Sequence, residues 1–139
     1  MNDSETTVAE LKRVLGEFVD QRDWQQFHSP KNLAMSLAIE TAELMEHFQW
    51  LDVADSRTVV QQPERRQAIA EEIADVLCYT LALANSMDLD LAHAFEHKMA
   101  KNRLKYPADQ FRGRWGRAHQ VPSSEPATAN ANSESGEHH

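Results

Sequence analysis

Four acidic residues come in two pairs at a spacing of three. Glu40 and Glu43 form one pair, and Glu72 and Asp75 form the other. On a helix, that spacing puts both side chains of a pair on one face, about 5–6 Å apart at Cβ. Glu40 follows Leu33 and Leu37 along the row 33, 37, 40, 44, so it interrupts an apolar stripe. Glu72 and Asp75 flank the row Ile69, Ile73, Val76 in the same manner. Carboxylates on the core side of two helices repel one another and are costly to bury. They need compensation, either from Lys and Arg partners and solvent or from a cation. Oxygen-only ligands suit Mg²⁺ or Mn²⁺ better than zinc. A di-iron bundle needs Glu-x-x-His on two helices. Here Glu43 is followed three on by Glu46, and Glu72 by Asp75. His47 reads as a surface histidine, with ligation as the alternative.

Residues suited to a nucleotide lie elsewhere in the chain. Trp24, Phe27 and His28 fall in a loop, and Trp50 closes the helix that carries Glu40. Such aromatics either stack a base or pack a core. Tyr79 lies one turn beyond Asp75. Lys98, Asn102 and Lys105 share a face of the last long helix. With Lys101 and Arg103 they either meet phosphates or simply favour the helix C-terminus. Cys78 reads as an inert buried thiol.

The elements that must position these residues are helices. No glycine and only two prolines occur between residues 17 and 106 of the 139, too little punctuation for a β protein. Four amphipathic helices are expected. The first spans about 7–22 behind Thr7, with Glu10 completing a capping box and Val8, Leu11, Val14, Leu15, Phe18 and Val19 forming one apolar stripe. The second runs from Ser29-Pro30 to about Trp50, and the third from Pro63 to about Met87, with Ile69, Ile73, Val76, Leu77, Thr80 and Leu81 as its inward stripe. The fourth runs from Asp88 or Asp90 to just before Pro107, with Phe95, Met99 and Leu104 inward. An all-α, four-helix-bundle-like domain over 7–107 follows, with a largely disordered tail over 108–139. Residues 51–62 are left as a loop.

Composition narrows the functions. Lys and Arg number 14 against 22 Asp and Glu, a net charge of −8, which argues against nucleic-acid or polybasic membrane binding. The single cysteine excludes an internal disulfide and fits a reducing cytoplasm. The opening MNDSETTVAE is acidic and polar, so no signal peptide is expected.

The pattern E40-T-A-E43, 28 residues, then E72-I-A-D75 resembles the all-α NTP pyrophosphohydrolases of the MazG and dCTP pyrophosphatase group. So do R22-D-W24-x-x-F27-H28-x-P30-x-N32, F48-Q49-W50, D75-V-L-x-Y79 and K98-M-x-x-N102-R103-x-x-Y106-P107. The dCTP pyrophosphatase branch is the best match, over about residues 7–107. The resemblance implies that Glu40, Glu43, Glu72 and Asp75 hold magnesium. It implies that Trp24, Phe27, His28, Trp50 and Tyr79 line a base and sugar pocket, with Asn102 near the phosphates. The implied reaction splits the α–β phosphoanhydride of a nucleoside triphosphate in nucleotide-pool cleansing, within a homo-oligomer, dimer or tetramer. Leu15 stands where familiar animal members carry a pocket histidine. The expected substrate is dCTP or a modified dCTP, and the departure at Leu15 keeps a dUTP- or dITP-preferring or broad-specificity MazG-like hydrolase as the alternative. A non-catalytic helical interaction module is the rival from another class.

Overall fold

The computed structural model describes residues 1–114, and all its regular elements are helical. They are α1 (Val8–Asp20), α2 (Pro30–Glu46), α3 (Val53–Thr58), α4 (Pro63–Ser86), α5 (Leu91–Lys105) and α6 (Ala108–Phe111). Short 3₁₀ turns follow α1 and α3, at Trp24–Phe27 and Val59–Gln61. The chain divides into two compact units, Met1–His97 and a second that begins at Lys98. The break falls inside the stretch read from sequence as one domain, and α5 crosses it.

Local chemistry sets the helix starts. Thr7 Oγ1 accepts the Glu10 N–H at 3.2 Å, and Ser29 Oγ accepts that of Asn32 at 3.2 Å ahead of Pro30. Asp90 Oδ1 accepts the His93 N–H at 2.9 Å at the start of α5. Each bond satisfies a donor that the helix itself leaves open. Two boundaries differ from expectation. α2 ends at Glu46, because Phe48 and Gln49 both donate to the Met45 carbonyl and turn the chain before Trp50. The expected loop at 51–62 contains α3, capped by Asp52 Oδ1 on the Asp55 N–H at 2.7 Å. An Asp-x-x-Asp start was its only cue.

In the first unit, α4 packs against both α2 and α1. The α2–α4 pair is antiparallel. Arg65 at the start of α4 donates to the His47 carbonyl at the end of α2, at 3.1 Å, while farther along α4 Glu72 meets Glu43 and Glu40. α1 is tied across the turn after α4. Lys12 Nζ donates to the Leu89 carbonyl at 2.8 Å, and Asn85 Nδ2 to that of Lys12 at 2.9 Å.

The core is small. The buried apolar residues are Val19, Leu33, Val59, Ile69, Leu81, Ala82 and Ala84. Several residues expected inward are exposed: Ile73 at 53%, Leu77 at 44%, Phe95 at 70% and Leu104 at 84%. They lie on faces left exposed among the described residues. In the second unit, Tyr106 and Phe111 meet edge to face at 5.1 Å, with Lys105 Nζ 5.2 Å from the Tyr106 ring. The tail expected from 108 opens with the helical turn α6, and its part beyond 114 lies outside the described residues. Among the described residues, no helix is long and apolar enough to cross a membrane.

Candidate functional site

The α2–α4 pairing turns two sequence pairs into one cluster. Carboxylate oxygens of Glu40, Glu43 and Glu72 all lie within 4.8 Å of one another. Glu40 and Glu72 are half-buried, and Glu43 is exposed. Partial burial pushes the Glu40 carboxyl above its ordinary range, and the charges of Glu43, Asp75 and Glu72 push it further. Asp75 is thus part of the same electrostatic neighbourhood, although it stands outside the close triad. Among the described residues the ion pair is Arg13–Glu17 on α1, so no lysine or arginine there neutralises the cluster. Of the expected alternative, pairing with Lys or Arg does not hold for these four among the described residues, whereas exposure holds for Glu43 and Asp75.

Glu72 Oε2 is buried and has no hydrogen-bond partner. A buried carboxylate oxygen left unpaired is costly. The donor set is all oxygen, and the spacing fits one small hard cation. Two oxygens on opposite sides of an ion bound at about 2.1–2.4 Å are about 4.2–4.8 Å apart. Glu40, Glu43 and Glu72 therefore fit a divalent cation, with Asp75 adjoining.

Beside the acids, an apolar groove of about 540 Å³ opens between α1 and α4. Trp24, His28, Asp75 and Tyr79 all line it, so four of the expected site residues come together here. Sequence reasoning missed Phe18, Val14, Leu11, Leu77 and Cys78, which also line it. Leu11, Val14 and Phe18 carried the signal of a core stripe, and periodicity does not tell a core from a groove. Cys78, expected to be an inert buried thiol, is exposed. Partial burial and the nearby Asp75 charge both raise its thiol pKa. Leu15 lines this groove and a smaller cavity shared with His28 and Asn85.

Two other expected residues of the first unit do not line the groove. Phe27 is exposed beside it, and its carbonyl accepts from Asn32 Nδ2 at 3.1 Å. Trp50 is 88% exposed past the end of α2. Lys98, Asn102 and Lys105 belong to the second unit, where Asn102 is half-buried and its carbonyl accepts the Tyr106 N–H at 2.8 Å.

An all-α chain whose two antiparallel helices present an oxygen-only acid cluster beside an apolar groove defines a class of candidate metal-dependent helical proteins. Comparison with known proteins narrows that class. Residues 35–116 match the MazG-like family, and the chain belongs to it. It is 43% identical over 109 residues to dCTP pyrophosphatase 1 of Rattus norvegicus, covering 78% of this chain and 64% of the relative. To dCTP pyrophosphatase 1 of Homo sapiens it is 42% identical over 104 residues, covering 75% of this chain and 61% of the relative. The chain thus spans somewhat less than two thirds of the length of these curated relatives. The crystal structure of a pyrophosphatase from Archaeoglobus fulgidus superposes with a TM-score of 0.67 at 42% identity, covering 77% of this chain and 98% of that one.

Proposed function

We propose that this chain is a Mg²⁺-dependent nucleoside triphosphate pyrophosphohydrolase that cleaves dCTP or a modified dCTP to the monophosphate and pyrophosphate. The observation that carries this is the triad of Glu40, Glu43 and Glu72 within 4.8 Å, with a buried, unpartnered oxygen on Glu72. When bound, the cation supplies charge neutralisation for the phosphate oxygens. Mn²⁺ would satisfy the same oxygen donors.

The chain's own residues divide the remaining work. Glu40, Glu43, Glu72 and Asp75 would hold the cation, which would supply positive charge for the triphosphate at the mouth of the groove. Glu43, the solvent-exposed member of the triad, accepts the proton of the water that attacks at phosphorus. Trp24, Tyr79 and His28 receive the base and sugar, and the apolar walls keep that end of the substrate dry. Choice of dCTP is supported by the similarity to proteins named dCTP pyrophosphatase 1. The family resemblance adds Phe27, Trp50 and Asn102 as substrate contacts, and charge and helix spacing alone add Lys98 and Lys105. The exposed apolar faces support a homo-oligomer, a dimer or tetramer, because a lone protomer would leave them in water. Hydrolysis of this kind serves nucleotide-pool sanitation in the cytoplasm.

The test is pyrophosphate release from dCTP, dUTP, dITP and 5-modified dCTP, with Mg²⁺ and with chelator. Release that needs Mg²⁺ and is lost in Glu43→Ala supports the hydrolase. No release from any triphosphate would leave the interaction module as the better account.

A further inference from the structure

Trp24 is the tryptophan in the groove wall. It opens the 3₁₀ turn after Asp23, which sits in the left-handed region at φ 53°, ψ 37° and accepts from Gln26 Nε2 at its carbonyl (3.0 Å) and at Oδ2 (3.2 Å), bonds that fix the backbone and leave the indole to its own contacts. A non-glycine residue adopts that conformation at a cost. What holds the indole is therefore what its ring touches. Phe18 meets it edge to face, with centroids 5.8 Å apart and planes at 77°. Phe18 is itself covered by Arg22. The guanidinium carbon lies 3.6 Å from the Phe18 ring centre and 5.9 Å from that of Trp24. Arg22 Nη1 also donates to the Phe18 carbonyl at 2.9 Å. That carbonyl is one of the last four of α1, which lack helical partners.

We infer that Arg22 is a positioning residue that sets the Trp24 ring in the wall of the groove against which the base of the nucleotide packs. The inference rests on the proposed hydrolase reading. A planar guanidinium covers a ring and donates in its own plane at the same time. A lysine ammonium reaches the carbonyl or the ring face, but it has no flat surface to hold both. Arg22 acts through Phe18 and Trp24, so it affects the base and not the phosphates.

The experiment compares wild type, Arg22→Ala and Arg22→Lys in the full chain with Mg²⁺. The substrates are dCTP and 2-deoxyribose 5-triphosphate, which has the sugar and phosphates but no base. Arg22→Ala should raise the KM for dCTP about two- to fivefold, the range of an exposed cation–π contact. Its kcat should stay within about twofold, and the KM for the base-free compound should not move. Arg22→Lys should leave the dCTP KM above wild type. An equal rise for both substrates would mean that Arg22 acts on the phosphates, and an unchanged dCTP KM would mean that it positions nothing. Either overturns the inference.

A second readout does not need activity. In a Trp50→Phe, Trp115→Phe background, Trp24 is the remaining tryptophan. Arg22→Ala should shift its emission to the red and increase quenching by acrylamide, and unchanged emission overturns the inference. Should wild type cleave no triphosphate, the proposed function fails, and the emission experiment still decides whether Arg22 holds Trp24. Should the alanine variant not fold, Arg22→Lys carries both measurements with the same expected directions.

Discussion

Replacing Glu43 with glutamine keeps its size and removes its charge. In the metal-free protein the Glu43 carboxylate lies within 4.8 Å of those of Glu40 and Glu72. Two unit charges at that distance repel by about 0.9 kcal/mol in water and about 3.5 kcal/mol at an effective dielectric of 20. Glu43 is exposed, so the water-like figure applies, and the two repulsions together come to about 2 kcal/mol. Side chains free to splay apart recover about half of that, leaving about 1 kcal/mol. For a domain of this size, Glu43→Gln should melt about 4–8 °C above wild type in chelator. Mg²⁺ at tenfold its Kd stabilises wild type by about 1.4 kcal/mol, or about 6–11 °C. The variant has lost a ligand and should gain much less, so the order of melting temperatures reverses when Mg²⁺ is added. Calorimetry at fixed protein concentration, alongside pyrophosphate release from dCTP, reads both effects. A variant that melts below wild type in chelator, or that gains as much from Mg²⁺, refutes the assignment of Glu43 to a metal centre. So does near-normal hydrolysis.

Three further outcomes follow. The Glu40 carboxyl has a folded-state pKa above its ordinary 4.5. Between those two values the folded state binds more protons than the unfolded, so its stability falls as pH rises through that window. The metal-free melting temperature should show this loss relative to Glu40→Gln, and a pH-independent difference between the two proteins would contradict it. Glu72→Gln should cut Mg²⁺ affinity at least tenfold by isothermal titration, because Glu72 Oε2 has no partner inside the protein to lose. Light scattering should give a mass at least twice the 15.8 kDa chain, and a monomer at working concentration would count against assembly.

The long helices were legible because capping and proline placement are local. Ser29-Pro30 and Pro63 marked two starts, and both hold in the structure. α3 was not legible, since six residues carry too little periodicity to show against a polar linker. The acid pairs were legible as pairs because helical spacing is arithmetic. Their convergence was not, because it depends on the α2–α4 register, which long-range packing sets. The groove was legible only in part. Tyr79 and Trp24 stood out by type, whereas Phe18 and Leu77 looked like core and are in fact walls.

That last confusion has a physical origin. The helices α2 and α4 meet along the face where Glu40 and Glu72 interrupt the apolar rows, so charge occupies positions that would otherwise build the core. The buried apolar set is correspondingly thin: among the described residues its members larger than alanine are Val19, Leu33, Val59, Ile69 and Leu81. Ile73 and Leu77 on α4 and Val14 and Phe18 on α1 continue the same apolar pattern outside the contact and remain exposed. A stripe on a helix states that a face avoids water; it does not state whether this chain, a substrate or a second copy covers it. In a chain that spends its central helix pair on carboxylates, the stabilising burial must come from those outer faces. Assembly should therefore stabilise the chain by itself, so the melting temperature in chelator should rise with protein concentration, and a concentration-independent value would refute this.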